Sequence, residues 1–370
     1  MKLKGTHIVT ILTLLFFISV GNTSIAVVSV SVLKCEMLTD PQGIGTAKPR
    51  LSWQITSHER YVSQTAYQII VASTAQKLAA DNGDLWDSRK VNSSQSIMVN
   101  YQDKLLSSRA QCYWKVRVWT NKGQSDWSQP AFWSIGLLNA NDWQAKWIGY
   151  EHGFPWDSVS KFSRLSARYF RRDFQLDKQI KKATVYIVGL GHYELYINGK
   201  QIGDQVLAEA PTDYTQDVKY NTFDVTSELK QGVNTIGTVL GNGRYFTMRP
   251  KYKPKKIKEF GFPKMLLQLE ITYSDGSKKT IISDDNWKFT ADGPIRTNNE
   301  YDGEEYDATK ELTGWNTMGY NDNKWLKPEL VPPPGGKIEP QMNEQIKIVR
   351  TINPISIKQL NAKTWPAGCK

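Results

Sequence analysis

The chain has 370 residues, with 40% hydrophobic and 22% charged side chains and a formal net charge of +11. At roughly 100–200 residues per domain, that length holds two or three cored domains, and the composition excludes a disordered chain. Three cysteines and four scattered histidines exclude a disulfide-rich scaffold and a His-built metal centre. Aromatics reach 11%, with 13 Trp and 17 Tyr, which favours β-sandwiches and carbohydrate surfaces over helical bundles.

In chain order, residues 1–26 read as a secretory signal peptide. Lys2 and Lys4 precede a mostly apolar run from Ile8 to Val20, and Ser24-Ile25-Ala26 offers a small-residue cleavage site. The run is too short for an ordinary membrane span. Its removal takes two Lys and lowers the net charge from +11 to +9. The expectation is an exported, soluble mature chain that meets a membrane only through that segment.

Residues 28–137 alternate short β-rich runs with turns: Val28–Leu33, Arg50–Ile55, Ala66–Ser73, Ser96–Tyr101, Gln111–Thr120 and Ala131–Gly136. This spacing predicts a seven-strand sandwich, and Trp53 early with Ser125-Asp126-Trp127-Ser128 late resemble a fibronectin type III-like module. In Gln111–Thr120, Trp114, Val116 and Val118 share one face, and Lys115 and Arg117 point to the other. The aromatics have two readings, core packing, which is the commoner role, and a sugar platform. Cys35 and Cys112 fall in or beside strands of this one sandwich, and both pairing and separate burial are open.

Residues 138–330 predict a second β-sandwich, of jelly-roll or galactose-binding-like pattern. Its expected strands are Ala167–Leu176, Ala183–Leu190, Tyr193–Ile197, Lys200–Ile202, Asn234–Leu240, Met265–Tyr273 and Lys278–Ser283. Thr226–Lys230 is the stretch with helical character. The fold class is thus all-β, two sandwiches in tandem. Val331-Pro332-Pro333-Pro334 begins a stiff linker that closes the second domain and opens the 331–370 tail. Between Arg244 and Lys264, eight Lys/Arg stand against Glu259. Export argues against nucleic acid, which leaves a solvated loop or attraction to an acidic polysaccharide.

Several motifs together carry a resemblance. They are Cys35-Glu36, Pro49-Arg50-Leu51-Ser52-Trp53, Trp86-Asp87-Ser88, Tyr113–Trp119, Gly189–Lys200, Pro211-Thr212-Asp213-Tyr214, Leu240-Gly241-Asn242-Gly243 and Tyr301–Ala308. In this order they resemble the N-terminal accessory region of bacterial α-L-rhamnosidases. The resemblance implies a secreted system acting on glycans with terminal L-rhamnose. It also implies accessory sandwiches ahead of a catalytic (α/α)6 barrel. In an inverting enzyme the acid and base stand roughly 6.5–9.5 Å apart, and in this family both belong to the barrel. No barrel motif occurs here, and after about Lys363 the likeness fails. The expectation is a non-catalytic, truncated N-terminal portion, inactive alone, from an interrupted gene, a frameshift or a fragment, with a separately encoded catalytic portion as one partner considered. A stand-alone carbohydrate-binding or adhesion protein is the alternative.

The candidate carbohydrate-binding residues are Tyr193, Glu194, Asp213, Tyr214, Asn242 and Tyr245. They lie in or beside Gly-rich or Pro-bearing segments that can form loops at one end of a sandwich, where polar side chains can meet sugar hydroxyls and rings can stack. The ligand expected from the resemblance is an L-rhamnose-containing glycan. Related rhamnose-binding modules use calcium, so Ca2+ is the cofactor considered. Arg244 stands where the family often has Trp, and Thr309 where it often has Arg. Asp302, Glu304, Glu305 and Asp307 cluster within six residues. A charged strand edge and a calcium site are both open there. Asp284-Asp285-Asn286 and Asn321-Asp322-Asn323 read as turn chemistry.

Overall fold

The structure is a computed structural model that describes residues 28–159, 164–247, 260–300 and 303–356. The expected signal segment, Arg249 to Lys258 of the basic run, Asp302 and Cys369 lie outside the described residues.

Runs rich in Val, Ile, Tyr and Trp pair into two sandwiches. In the first, β1 (Val28–Cys35) and β2 (Arg50–Ser57) run antiparallel, with the short strand Val99–Asn100 beside β2. The facing sheet holds β3 (Gln64–Ala72), β4 (Gln111–Thr120) and β5 (Ala131–Ser134), with β4 in the middle of the three. The period-two pattern of β4 is realised on its inner face, where Cys112, Trp114, Val116 and Val118 have no solvent exposure. Trp133 makes edge-on contacts with Trp114 at 6.2 Å and Tyr101 at 6.5 Å. Each such ring removes roughly 150–250 Å² from water.

The outer face of β4 is covered too. Lys90, Trp119, Arg117, Trp127 and Lys115 interleave, with cation-to-ring distances of 4.6, 5.2, 4.5 and 5.0 Å. These cations occupy ring faces that a sugar platform would need free. Cys35 and Cys112 are both buried as free thiols.

The second sandwich uses β6 (Arg168–Leu176), β7 (Ile180–Leu190), β8 (Tyr193–Ile197), β9 (Asp217–Asp224), β10 (Gly232–Leu240), β11 (Lys264–Tyr273), β12 (Lys278–Ile282) and β13 (Lys288–Thr290). One sheet is centred on β7 and β11, flanked by β9 and β12; the facing sheet has the order β8, β10, β6, β13. Val185, Ile187, Leu267 and Leu269 from the first pack against Phe170, Leu195 and Ile236 from the second. At about 25 cal/mol per Å² of apolar burial, this core supplies the main stabilisation.

Several expectations are corrected. β9 is a strand that its polar sequence, Asp-Val-Lys-Tyr-Asn-Thr-Phe-Asp, concealed. Thr226–Lys230 yields only a 3-10 turn at Thr226–Glu228. A short helix, Ala75–Ala79, capped by Thr74, was not anticipated. The boundary at 330 also moves. Val331 is buried, and β14 (Lys337–Pro340) pairs in parallel with β9, from Asp217↔Lys337 to Tyr220↔Pro340. Residues 331–340 are therefore part of the second sandwich. Proline tolerates this place because an edge strand leaves one side without a ladder partner.

The two sandwiches are clamped together. Arg109 donates from Nε and Nη2 to the two Glu270 carboxylate oxygens, each at 2.7 Å, and from Nη1 to Asp142 at 2.7 Å. Ser108, Arg109 and Asn139 outweigh burial at Asp142 and hold its carboxyl down at about 2. Tyr220 Oη accepts from the Leu137 amide at 2.6 Å. A Cβ on Gly136 would stand 2.2 Å from that hydroxyl, so the close approach requires glycine there.

Candidate functional site

The Gly-rich motifs meet at one end of the second sandwich, and their glycines serve backbone contact. A Cβ on Gly191 would lie 2.1 Å from the Gly241 carbonyl oxygen, and one on Gly243 would lie 2.7 Å from the Gly191 carbonyl carbon. Both glycines also take positive φ, 133° and 49°. The loops after β7 and β10 are thereby pressed together. Asn242 fastens them: its backbone amide donates to Asn298 Oδ1 at 2.8 Å, and its Nδ2 donates to the Leu165 carbonyl at 2.6 Å.

This arrangement places the six candidate binding residues. Tyr193, Tyr214, Asn242 and Tyr245 are 3% exposed or less. Tyr193 belongs to the core, and its hydroxyl donates to Asn221 Oδ1 at 2.6 Å. Tyr214 and Tyr245 meet edge-on at 5.2 Å, and Phe260 stacks on Tyr245 at 5.7 Å. Burial raises the pKa of all three tyrosines. Their ring faces are filled by protein, so a sugar finds no stacking surface on them. Glu194 and Asp213 are exposed. Glu194 accepts from the Tyr196 hydroxyl, and Asp213 Oδ1 accepts from the Thr215 amide at 3.1 Å and hydroxyl at 2.7 Å. The motifs thus converge in space, and their rings and Asn242 bind the fold together.

Beneath them lies a residue that sequence reasoning missed. Glu209 is 1% exposed, and among the described residues its carboxylate oxygens find no hydrogen-bond partner of good geometry. Burial raises its pKa well above the usual value; the Gly189 amide and Lys219 oppose this from nearby. Nearby, Gln341 Oε1 accepts from the Ala210 amide and from Asn221 Nδ2, each at 3.1 Å. The single sequence signal was an acid set between Ala208 and Ala210. Its burial keeps it away from any surface ligand.

The acidic segment does not gather a metal set. Glu305 pairs with Arg164, and Asp307 Oδ1 accepts from the Thr309 amide and hydroxyl. Among the described residues, no group of three His, Cys, Asp or Glu side chains is placed to hold a metal ion. Asp284 accepts from the Asn286 amide as an acidic turn should, and also pairs with Arg172. Asp322 does more than make a turn: it pairs with Lys288 and the buried Arg171.

The 343–349 segment runs beside the second sandwich. The Val206 amide donates to the Ile346 carbonyl at 2.9 Å, which lays the 343–349 segment along the 204–207 loop. Leu207, Ile346, Ile348, Val349, Ile352 and Ile355 are each more than half exposed.

Comparison with known proteins matches this anatomy. Residues 30–139 match the Rha78A-like N-terminal immunoglobulin domain, and residues 178–350 match the α-L-rhamnosidase N-terminal domain. Immunoglobulin and fibronectin type III domains share the sandwich architecture expected for the first domain. An α-L-rhamnosidase of Formosa agariphila is 37% identical over 345 residues, covering 91% of this chain and 37% of the relative. The solved α-L-rhamnosidase of Dictyoglumus thermophilum superposes with a TM-score of 0.80 at 40% identity, over 90% of this chain and 37% of that one. That of Aspergillus terreus gives a TM-score of 0.78 at 30% identity, with the same two coverages. The chain therefore spans little more than a third of the length of these relatives. Its two sandwiches are those of the N-terminal region of the α-L-rhamnosidases.

Proposed function

We propose that this chain is the non-catalytic N-terminal portion of an exported α-L-rhamnosidase, which removes terminal L-rhamnose from glycans. The observation that carries this reading is the ordered match of both sandwiches to α-L-rhamnosidases over nine-tenths of the chain. The accessory role is structural support first. The exposed apolar side chains of Ile346, Ile348, Val349, Ile352 and Ile355 support a seat for a catalytic portion. Glu194 and Asp213 are the candidate residues that reach the surface, where a sugar could meet them. The Lys2-to-Ala26 pattern supports export.

Two measurements on the chain alone test this. The first is hydrolysis of 4-nitrophenyl α-L-rhamnoside. The second is calorimetric titration with L-rhamnose, with and without calcium. The expected result is no turnover. Calcium-dependent binding adds a glycan-binding role, and no binding leaves a supporting one. Turnover would overturn the proposal.

A further inference from the structure

A cleft of about 430 Å³ lies between the two sandwiches. That volume falls within the roughly 300–1,000 Å³ of small-ligand sites. Its floor is the outer face of β7, β11 and β12. The register sets Lys182 opposite Thr272 and Thr272 opposite Lys278, which makes one row across three strands. The next row is Thr184, Glu270 and Thr280. The far wall comes from the first sandwich, where Gln111 and Ser134 stand paired at the ends of β4 and β5.

The charges in this cleft are unbalanced in a specific way. Arg109 is already matched by Glu270 and Asp142. Lys182 and Lys278 have no ion pair or hydrogen-bonded carboxylate among the described residues. Lys182 is half-buried, and burial lowers its pKa against the pull of Asp224. A cation held partly out of water without a bound partner is stabilised by an arriving anion. Gln111, Ser134, Gln144, Thr184, Thr272 and Thr280 add hydroxyls and amides that suit sugar hydroxyls, while Lys279 donates to the Gln175 carbonyl. Tyr186, the ring in this lining, is 2% exposed, so the cleft lacks the stacking platform that single-stranded nucleic acid uses.

We infer that this interdomain cleft binds an acidic oligosaccharide segment, with Lys182 and Lys278 receiving its carboxylate or sulfate groups and the threonine rows receiving its hydroxyls. This goes beyond the rhamnosidase reading and does not depend on hydrolysis.

Native gel electrophoresis of the whole chain, through gels containing polygalacturonate, dextran sulfate or neutral dextran, tests it. Both anionic polymers, or one of them, should retard the chain, and neutral dextran should not. Retardation by one alone identifies the acid group. The double variant Lys182→Ala/Lys278→Ala should weaken retardation roughly tenfold. Lys48→Ala/Lys104→Ala removes the same charge from exposed positions outside the cleft and should leave it nearly unchanged. Equal loss in both doubles would show diffuse attraction and overturn the site, as would retardation by neutral dextran or none at all. Thermal melting checks the fold, and Lys182→Gln/Lys278→Gln replaces the alanine pair if that one unfolds. Rhamnoside turnover or rhamnose binding is read separately, so either idea can fail alone.

Discussion

Glu209 shows how a single side chain sets a solution property. A carboxyl whose pKa is raised by folding costs nothing below its unfolded value, because both states are then protonated. That unfolded value is about 4.3. Above it, the folded state must keep the proton or carry a buried charge, so stability falls as pH rises toward the folded pKa. Glu209→Gln removes the titration and keeps the shape. The variant should melt at the same temperature as the parent near pH 4 and at a higher one near pH 8. A constant difference between the two proteins at both pH values would mean that Glu209 does not titrate in this way.

At the level of elements, the paired loops after β7 and β10 hold one end of the second sandwich shut. Gly191→Ala places a methyl group into the Gly241 carbonyl and also strains a positive φ. The expected cost is about 2–4 kcal/mol. Gly123 offers the matched comparison. It has φ +124° and open space around its Cβ, so Gly123→Ala carries the φ strain without the clash. Its expected cost is about 1 kcal/mol. Urea unfolding of the two variants separates the terms. Equal losses would show that the loop contact is not what requires glycine. The same loops explain why the motif tyrosines are buried. Glycine brings the backbones together, and Tyr193, Tyr214 and Tyr245 fill the space beneath.

In the whole molecule, the two sandwiches meet at a junction where Arg109 supplies ion pairs beside the Leu137–Tyr220 contact. Arg109 spans the junction with charge-assisted bonds to Glu270 and Asp142, all partly shielded from water. Removing it leaves two carboxylates facing each other without their shared cation. Arg109→Ala should cost about 2–4 kcal/mol at the junction. In scanning calorimetry the parent should show one transition, and the variant should split into two as the sandwiches uncouple. One unsplit transition at an unchanged temperature would mean that apolar contacts carry the coupling.

Much of this anatomy was legible from residue order. Gln111–Thr120 and Tyr193–Ile197 are strands at the bounds their alternation predicted. Local patterns of that kind report which face of a strand is dry, and this is fixed by neighbours two residues apart. The ordered motifs likewise carried the family. Tertiary structure decided what local pattern cannot encode. β14 pairs with β9 across 120 residues, so a proline-bearing stretch that reads as a linker becomes an edge strand. Tyr214 and Tyr245 read in the sequence as candidate sugar contacts, and only the tertiary structure packs Phe260 against their rings. Lys182 and Lys278 are unremarkable in the sequence and become a row only through the register of three strands. The physical reason is common to all three. Burial, pairing and charge balance depend on what arrives from distant parts of the chain, and the chain's local preferences are silent about it.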